Sequence, residues 1–328
     1  MELVLYGGMF LGSAAILYLS GEWVVRGLMH LSRHLGIREF VVAFFVMAAA
    51  ASLPNLFVGL TSALSGVPEL SLGDIFGNNL VAMTLAVAAG VLFSRRGSIE
   101  TRGRTIHTSM LFAAAAAMLP VLLIADGELS RFDGVILMGL FLIYIYWLLG
   151  MSDRFSRTYK QSKPHDSALN RARRAIGDVL KVTAGVFLII IAALGIVSSA
   201  TFFADHFGVP LVLIGLLVVG FGGALPEVYF AIASARRGDT NLIMGNIIGA
   251  VILPATFVLG LVALIHPIHV NGSQFLVGSR IFLLAAGALF FIFSATSRRI
   301  GRVEAVILML VYVAFLAFAY LTAESGGL

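Results

Sequence analysis

Apolar residues in this chain run in long blocks and do not alternate with polar ones. Ten blocks of about 20 residues, at approximately 3–30, 37–64, 72–93, 106–125, 131–150, 179–203, 209–235, 242–265, 276–294 and 303–322, are separated by polar connections. A hydrocarbon core about 30 Å thick is crossed by about 20 helical residues. A membrane-spanning strand would instead show short alternating segments. The pattern predicts an all-α polytopic membrane protein with ten transmembrane helices.

A second regularity lies inside the blocks. The second span reads "ASLPNLF" at 51–57 and the seventh "GALPEVYF" at 223–230, so that Pro54 and Pro226 stand 172 residues apart. With that offset, residues 34–77 align on 206–249 without a gap, and twelve of 44 positions are identical. Apolar bias alone matches leucines, valines and alanines. It does not match a proline pair together with Gly36/Gly208, Gly66/Gly238, Gly73/Gly245 and Gly77/Gly249. "VILM" recurs at 135–138 and 306–309.

Each half holds five spans, an odd number, so the second half enters the membrane from the opposite face. The expected organisation is two inverted five-helix repeats, residues 1–150 and 179–328, joined by a basic loop at 151–178. Inverted repeats mark secondary transporters. They also occur in channels, and the repeat alone leaves both readings open.

Composition agrees with membrane burial: 59% of the 328 residues are hydrophobic and 12% charged, against roughly a quarter charged in soluble domains. The mean hydropathy is +1.00. No cysteine is present, which excludes disulfides, iron–sulfur clusters and thiolate zinc sites. The start, "MELVLYGG", lacks a basic n-region and reads as the first span.

The net charge of +5 invites a nucleic-acid reading, but 20 of the 22 Lys and Arg lie in odd-numbered connections. By the positive-inside rule those connections are cytoplasmic and both termini outside. The expected location is a prokaryotic inner or plasma membrane, with the basic loops facing anionic lipid. No nucleic-acid partner is expected, and oligomeric state is left open.

Polar residues inside the spans carry the chemistry. Proline has no N–H and its ring clashes with the carbonyl four residues back, so Pro54 and Pro226 are expected to break helices and free the carbonyls of Ala50 and Gly222. In lipid those oxygens need a neighbour, water or a cation; a simple kink is the alternative. Glu227 follows Pro226 deep in span seven, where a charge costs roughly 2.5–3.5 kcal/mol or more. Its counterpart is Asn55.

"LGDIFGNNLVAMT" and "MGNIIGAVILPAT" put Asp74/Asn78 and Asn246/Ala250 at i, i+4 on one helix face. Gly73, Gly77, Gly245 and Gly249 let those helices approach others closely. Ser52, Asn55, Asp74, Asn78, Glu227 and Asn246 are therefore expected to converge near the midplane as a cation site, with Glu227 and Asp74 its metal-binding carboxylates. A second reading has Asp74 and Asn246 capping or cross-linking helices near the membrane interface. His266 and His269 share an outside loop, His34 and His206 stand at helix ends, and Glu22 and Trp23 read as interfacial. With no P-loop, nucleophile elbow or HExxH, no enzyme activity and no cofactor are expected.

These stretches resemble the calcium/cation antiporter superfamily, the sodium/calcium exchangers, whose repeats carry a "TSLPE"-like turn followed by "GN-x-x-G-S/N". Here they read "ASLPN…LGDIFGNN" and "GALPE…MGNIIGAV", within a likeness that covers nearly the whole chain. The resemblance implies the exchanger fold and antiport by alternating access, spans one and six sliding across a core of spans two, three, seven and eight. It also implies backbone ligands at Ala48 and Gly220.

The chain departs from the family pattern at several ligand positions. Asn55 replaces a glutamate, and Ala51, Gly223 and Ala224 lack the hydroxyls usual before Leu-Pro. Asn78, Ala82, Ala250 and Pro254 occupy the further ligand positions, and Asp74 is an extra acid. Calcium takes 6–8 oxygens, several of them anionic. The cargo is therefore left among Ca2+, Na+ and H+. The alternative is a degenerate exchanger-fold protein that moves a monovalent cation, another solute or a lipid, or has a non-transport role.

Overall fold

In lipid a backbone must satisfy its own polar groups, and a helix does so within one segment. The computed structural model describes residues 1–34, 39–101, 104–155, 168–238, 240–270, 274–296 and 299–324, with side chains described outside 25–51, 104–105, 151–176, 178, 240–241, 274 and 323–324. Ten helical rods run through these residues. The first two are α1 (Glu2–His34) and α2 (Glu39–Leu64). The third, α3, joins Glu69–Val81, a π turn Ala82–Ala86 and Val87–Leu92. Next come α4 (Arg104–Leu123), α5 (Arg131–Phe155) and α6 (Ala168–Phe207). The seventh, α7, joins Leu211–Ile214, a π turn Gly215–Val219 and Gly220–Arg237. The eighth, α8, joins Thr240–Leu253, a π turn Pro254–Val258 and Leu259–Ile265. Last are α9 (Gln274–Thr296) and α10 (Arg302–Glu324).

Among the described residues nine rods have the length and hydropathy of a membrane span, and α2 contributes the apolar stretch Ser52–Leu64. The molecule is a multi-pass α-helical membrane protein. At the central connection helix reaches further than the apolar pattern predicts: α5 runs to Phe155 and α6 begins at Ala168. The extension of α6 opens "ALNRARRA", and alanine and arginine are among the best helix formers.

The central rods are α3 and α8, whose spans are 83% and 78% buried, against 11% for α1. Around them α4, α5, α7, α9 and α10 close one apolar core that includes the fully buried Phe275, Phe290 and Phe315. A second, smaller core joins Leu17 and Val24 of α1 to Ile189, Ala193, Ile196 and Ala200 of α6. The α1–α6 pair is tightly fitted: a Cβ on Gly185 would lie 3.2 Å from the Ser20 carbonyl oxygen, and one on Gly195 would collide with the Ser13 hydroxyl. Tyr6 stacks on Phe202 with ring centroids 3.9 Å apart.

The 172-residue offset reappears in the backbone. The π turns Ala82–Ala86 and Pro254–Val258 occupy equivalent positions. In each, a buried threonine donates to the carbonyl four residues back, Thr84 to Leu80 and Thr256 to Ile252, both at 2.5 Å. The proline of the second turn is not the cause of the irregularity, because the first turn has alanine there.

Two antiparallel ribbons tie the halves together. β1 (Ser98–Glu100) and β4 (Arg299–Gly301) join the third and ninth connections. β2 (Glu128–Leu129) and β3 (Ile268–His269) join the fourth and eighth. Pairing odd with odd and even with even requires each pair to share a face, which supports the alternating course of the spans.

Candidate functional site

Four rods meet at the centre, and what lets them meet is the absence of side chains. On α3, a Cβ at Gly73 would strike the carbonyl oxygen of Val212, and one at Gly77 that of Leu216. On α7, a Cβ at Gly215 would come 2.5 Å from the Leu70 carbonyl oxygen, and one at Gly220 2.6 Å from that of Asp74. The α3 and α7 backbones are thus in direct contact along two turns. Gly220 acts in this contact, its backbone pressed between Asp74 and Asn78.

The prolines do not break helices as the sequence predicts. Pro54 lies inside the continuous helix Glu39–Leu64 and Pro226 inside Gly220–Arg237. Proline removes one hydrogen bond, and the flanking turns carry the helix past it. The departure from α geometry in α7 lies earlier, in the π turn Gly215–Val219. π turns also gather at functional sites.

Polar side chains collect in the space beside Pro54 and Pro226. Ser52 is 1% exposed, Asn55 7%, Asp74 1%, Asn78 1% and Glu227 6%. A Cβ on Gly223 would lie 3.7 Å from both Asn55 Oδ1 and Asp74 Oδ1. Those two oxygens, from α2 and α3, therefore converge over Gly223, one helical turn before Glu227. Asn78 Nδ2 donates to the Ala250 carbonyl oxygen at 3.3 Å. Ala250 is the residue equivalent to Asn78 in the second half, so this bond joins the two halves at matching positions.

Few of the polar atoms in this group have protein partners. Both carboxylate oxygens of Asp74, Oε2 of Glu227, Oγ of Ser52, Oδ1 of Asn78 and both amide atoms of Asn79 are buried without a hydrogen bond. Buried polar groups are nearly always satisfied, and a buried carboxylate without a counter-charge costs several kcal/mol. Two such carboxylates on adjoining rods call for a cation or for protons. Among the described residues no group of three or more His, Cys, Asp or Glu is placed to hold a metal ion. The oxygens here are two carboxylates supplemented by amides and a hydroxyl.

Of the sequence-predicted residues, Ser52, Asn55, Asp74, Asn78 and Glu227 are all buried, and Asn55 and Asp74 converge over Gly223, one turn before Glu227. Asn246 is only partly buried and lines a cavity that also reaches Glu227. Ala48 falls among the residues whose side chains lie outside those described. Asp74 is buried in the bundle, and neither of its carboxylate oxygens caps a helix by a hydrogen bond. His269 pairs with Glu128 at 3.5 Å on the β2–β3 ribbon, remote from the site in the connections. Sequence reading missed Asn79 and the threonine pair Thr84/Thr256. Extending the 172-residue alignment seven positions past Gly77 reaches that pair.

Comparison with known proteins agrees with this geometry. The sodium/calcium exchanger protein family matches residues 5–150 and 179–321. The inner membrane protein YrbG of Escherichia coli is 28% identical over 297 residues, 88% of this chain and 89% of its own. The sodium/calcium exchanger MaX1 of Methanosarcina acetivorans is 24% identical, covering 91% of this chain and 94% of its own. A solved structure of the sodium-calcium exchanger NCX_Mj has the same fold, with a TM-score of 0.62 at 22% identity, covering 96% of this chain and 98% of its own.

Proposed function

The chain belongs to the sodium/calcium exchanger protein family, a family of membrane transporters and not of enzymes, and from that premise we propose an antiporter that moves cations by alternating access through the site between α2, α3, α7 and α8. The observation that carries the reading is the set of buried, unpartnered oxygens on Asp74, Glu227, Ser52 and Asn78. Glu227 and Asp74 supply the charge, Asn55, Asn78, Asn246 and Ser52 neutral oxygens. Backbone oxygens near Ala48 and Gly220 complete the family's pattern. The α1–α6 pair, which meets α2, α3 and α7 through the smaller core and lies outside the larger one, is the element that slides against the rest. Both termini lie outside and the central connection is cytoplasmic.

Relatives named as sodium/calcium exchangers make Na+ and Ca2+ the first cargoes to test. The residues favour a modest claim on calcium. Ala82, Ala250 and Pro254 are buried and bring no side-chain oxygen where family ligands would stand. Two carboxylates and a few neutral oxygens suit a Na+ or H+ as well as a loosely held Ca2+, and this observation favours the second reading, a carrier of monovalent cations.

Reconstituted vesicles decide between them. Uptake of radiolabelled calcium, driven by an outward sodium or proton gradient, is expected to be saturable and to vanish in Glu227→Gln. Sodium or proton flux without calcium uptake establishes the monovalent reading. Calcium uptake that survives Glu227→Gln overturns the site.

A further inference from the structure

A cavity of about 300 Å³ is lined by Tyr18 and Glu22 of α1, Pro54 of α2, Glu227 and Tyr229 of α7 and Asn246 of α8. At about 30 Å³ per molecule it holds roughly ten waters, enough for a cation that still carries most of its hydration shell. Glu227 lines it, and its Oε2 is buried and without a partner. The wall on the α1 side is close: a Cβ on Gly21 would lie 4.0 Å from Pro54 Cγ. Glu22, the neighbour of Gly21, is half-buried and shares the cavity with Glu227.

The direction of opening follows from where these residues stand on their helices. Tyr229 lies between Glu227 and the basic end of α7, Arg236 and Arg237. Asn246 lies in the first turns of α8, and Glu22 lies beyond the midpoint of α1 towards His34. All three helix ends belong to the basic, odd-numbered connections. On the opposite side, near the first turns of α3 and α7, Gly73 and Gly215 seal the two backbones together. The residue equivalent to Gly73 is Gly245, and a Cβ there would meet nothing within 4 Å. One side is shut where its symmetry mate is open.

We infer that this cavity is the cytoplasmic vestibule of the site and that Glu22 is its cation-capture carboxylate, a role that rests on the proposed antiport. A cation approaching past Arg236 and Arg237 meets a repulsive potential, and a carboxylate in the wall of a narrow cleft offsets it and raises the local cation concentration. Glu22 sits on α1, the element that moves, so its distance from Glu227 changes as the cavity closes. The cation sheds water as it passes from Glu22 to Glu227.

The chain has no cysteine, so single-cysteine variants report access directly. Glu22→Cys and Tyr229→Cys, in sealed vesicles of known orientation, are expected to react with a membrane-impermeant thiol reagent from the cytoplasmic face alone. Na+ or Ca2+ is expected to slow the reaction of Tyr229→Cys. In flux measurements Glu22→Gln is expected to raise the half-saturating cytoplasmic cation concentration about tenfold, the size of one partly screened charge at close range. The maximal rate and melting temperature stay near wild type, and Glu22→Asp restores the affinity. Labelling from the outer face, no labelling, or an unchanged half-saturation in Glu22→Gln overturns the inference. A wild-type protein without flux instead sinks the antiport reading, and the sidedness and cation protection of labelling still decide the vestibule.

Discussion

The α3–α7 contact and its symmetry mate, α8 against α2, differ in two ways that go together. Across α3–α7, glycine faces glycine and the backbones touch, and both acids of the site, Asp74 and Glu227, sit on these two rods. Across α8–α2 the equivalents are Asn246 and Asn55, and Gly245 looks into open space. The chain carries Ala43 and Ala48 where α7 has Gly215 and Gly220. Two of the three π turns, those of α3 and α8 with their threonines, keep the repeat, while the third, Gly215–Val219, has no counterpart in α2. Charge and close packing do not. Symmetry has been retained in the frame and given up in the site.

The largest effect tests the contact itself. Gly77→Ala places a methyl group against the Leu216 carbonyl oxygen, and overpacking of this kind against backbone is expected to cost about 3 kcal/mol. Melting of the purified protein in detergent should drop sharply or the protein should fail to accumulate. The mate of the neighbouring Gly73 is the control: Gly245→Ala is expected to leave stability unchanged or raise it by up to about 1 kcal/mol, the helix-propensity gain of alanine over glycine.

Charge comes next. Glu227→Gln is expected to lower cation affinity about 100-fold and Asp74→Asn about tenfold in equilibrium binding, equivalent to roughly 2.7 and 1.4 kcal/mol. Moving the second charge to the mate position, as Asp74→Asn with Asn246→Asp, should not restore binding. Asn246 is partly exposed and does not stand over Gly223. Recovery to wild-type affinity would mean that the two sides are interchangeable after all.

Gly223→Ala separates packing from chemistry. Its methyl group meets Asn55 Oδ1 and Asp74 Oδ1 at 3.7 Å, an ordinary contact, so the melting temperature should hold. Affinity should fall about fivefold, roughly 1 kcal/mol, because the methyl group occupies the space where the two oxygens converge. The smallest effect probes the symmetric frame. Thr84→Val and Thr256→Val each remove one hydrogen bond and are expected to cost about 1 kcal/mol apiece. Unequal losses in melting would show that the frame is asymmetric too.

Much of the fold was legible because lipid imposes a simple grammar. Twenty apolar residues make a span, and Lys and Arg mark one face. The buried acids were legible: Asp74 and Glu227 stand in apolar blocks, and their burial follows. What the linear chain concealed were effects of three-dimensional contact. Pro54 and Pro226 read as breaks, yet neighbouring turns hold both helices continuous. The π turns have no composition of their own, since Ala82 and Pro254 both begin one. Glu22 read as interfacial because its block alone does not reveal that α1 lies across Pro54. Gly220, expected to offer its carbonyl oxygen, is also a point of backbone approach, which the sequence did not reveal.

Equilibrium binding of radiolabelled Na+ and Ca2+ to the purified protein tests most directly whether the charge of the site resides on the α3–α7 pair. Wild type should bind at least one of the two ions saturably. Asp74→Asn and Glu227→Gln should each weaken that binding by about tenfold or more, and the double variant should show none while retaining the wild-type melting temperature. Saturable binding of wild-type affinity in the double variant would contradict the account, placing the cation elsewhere in the bundle.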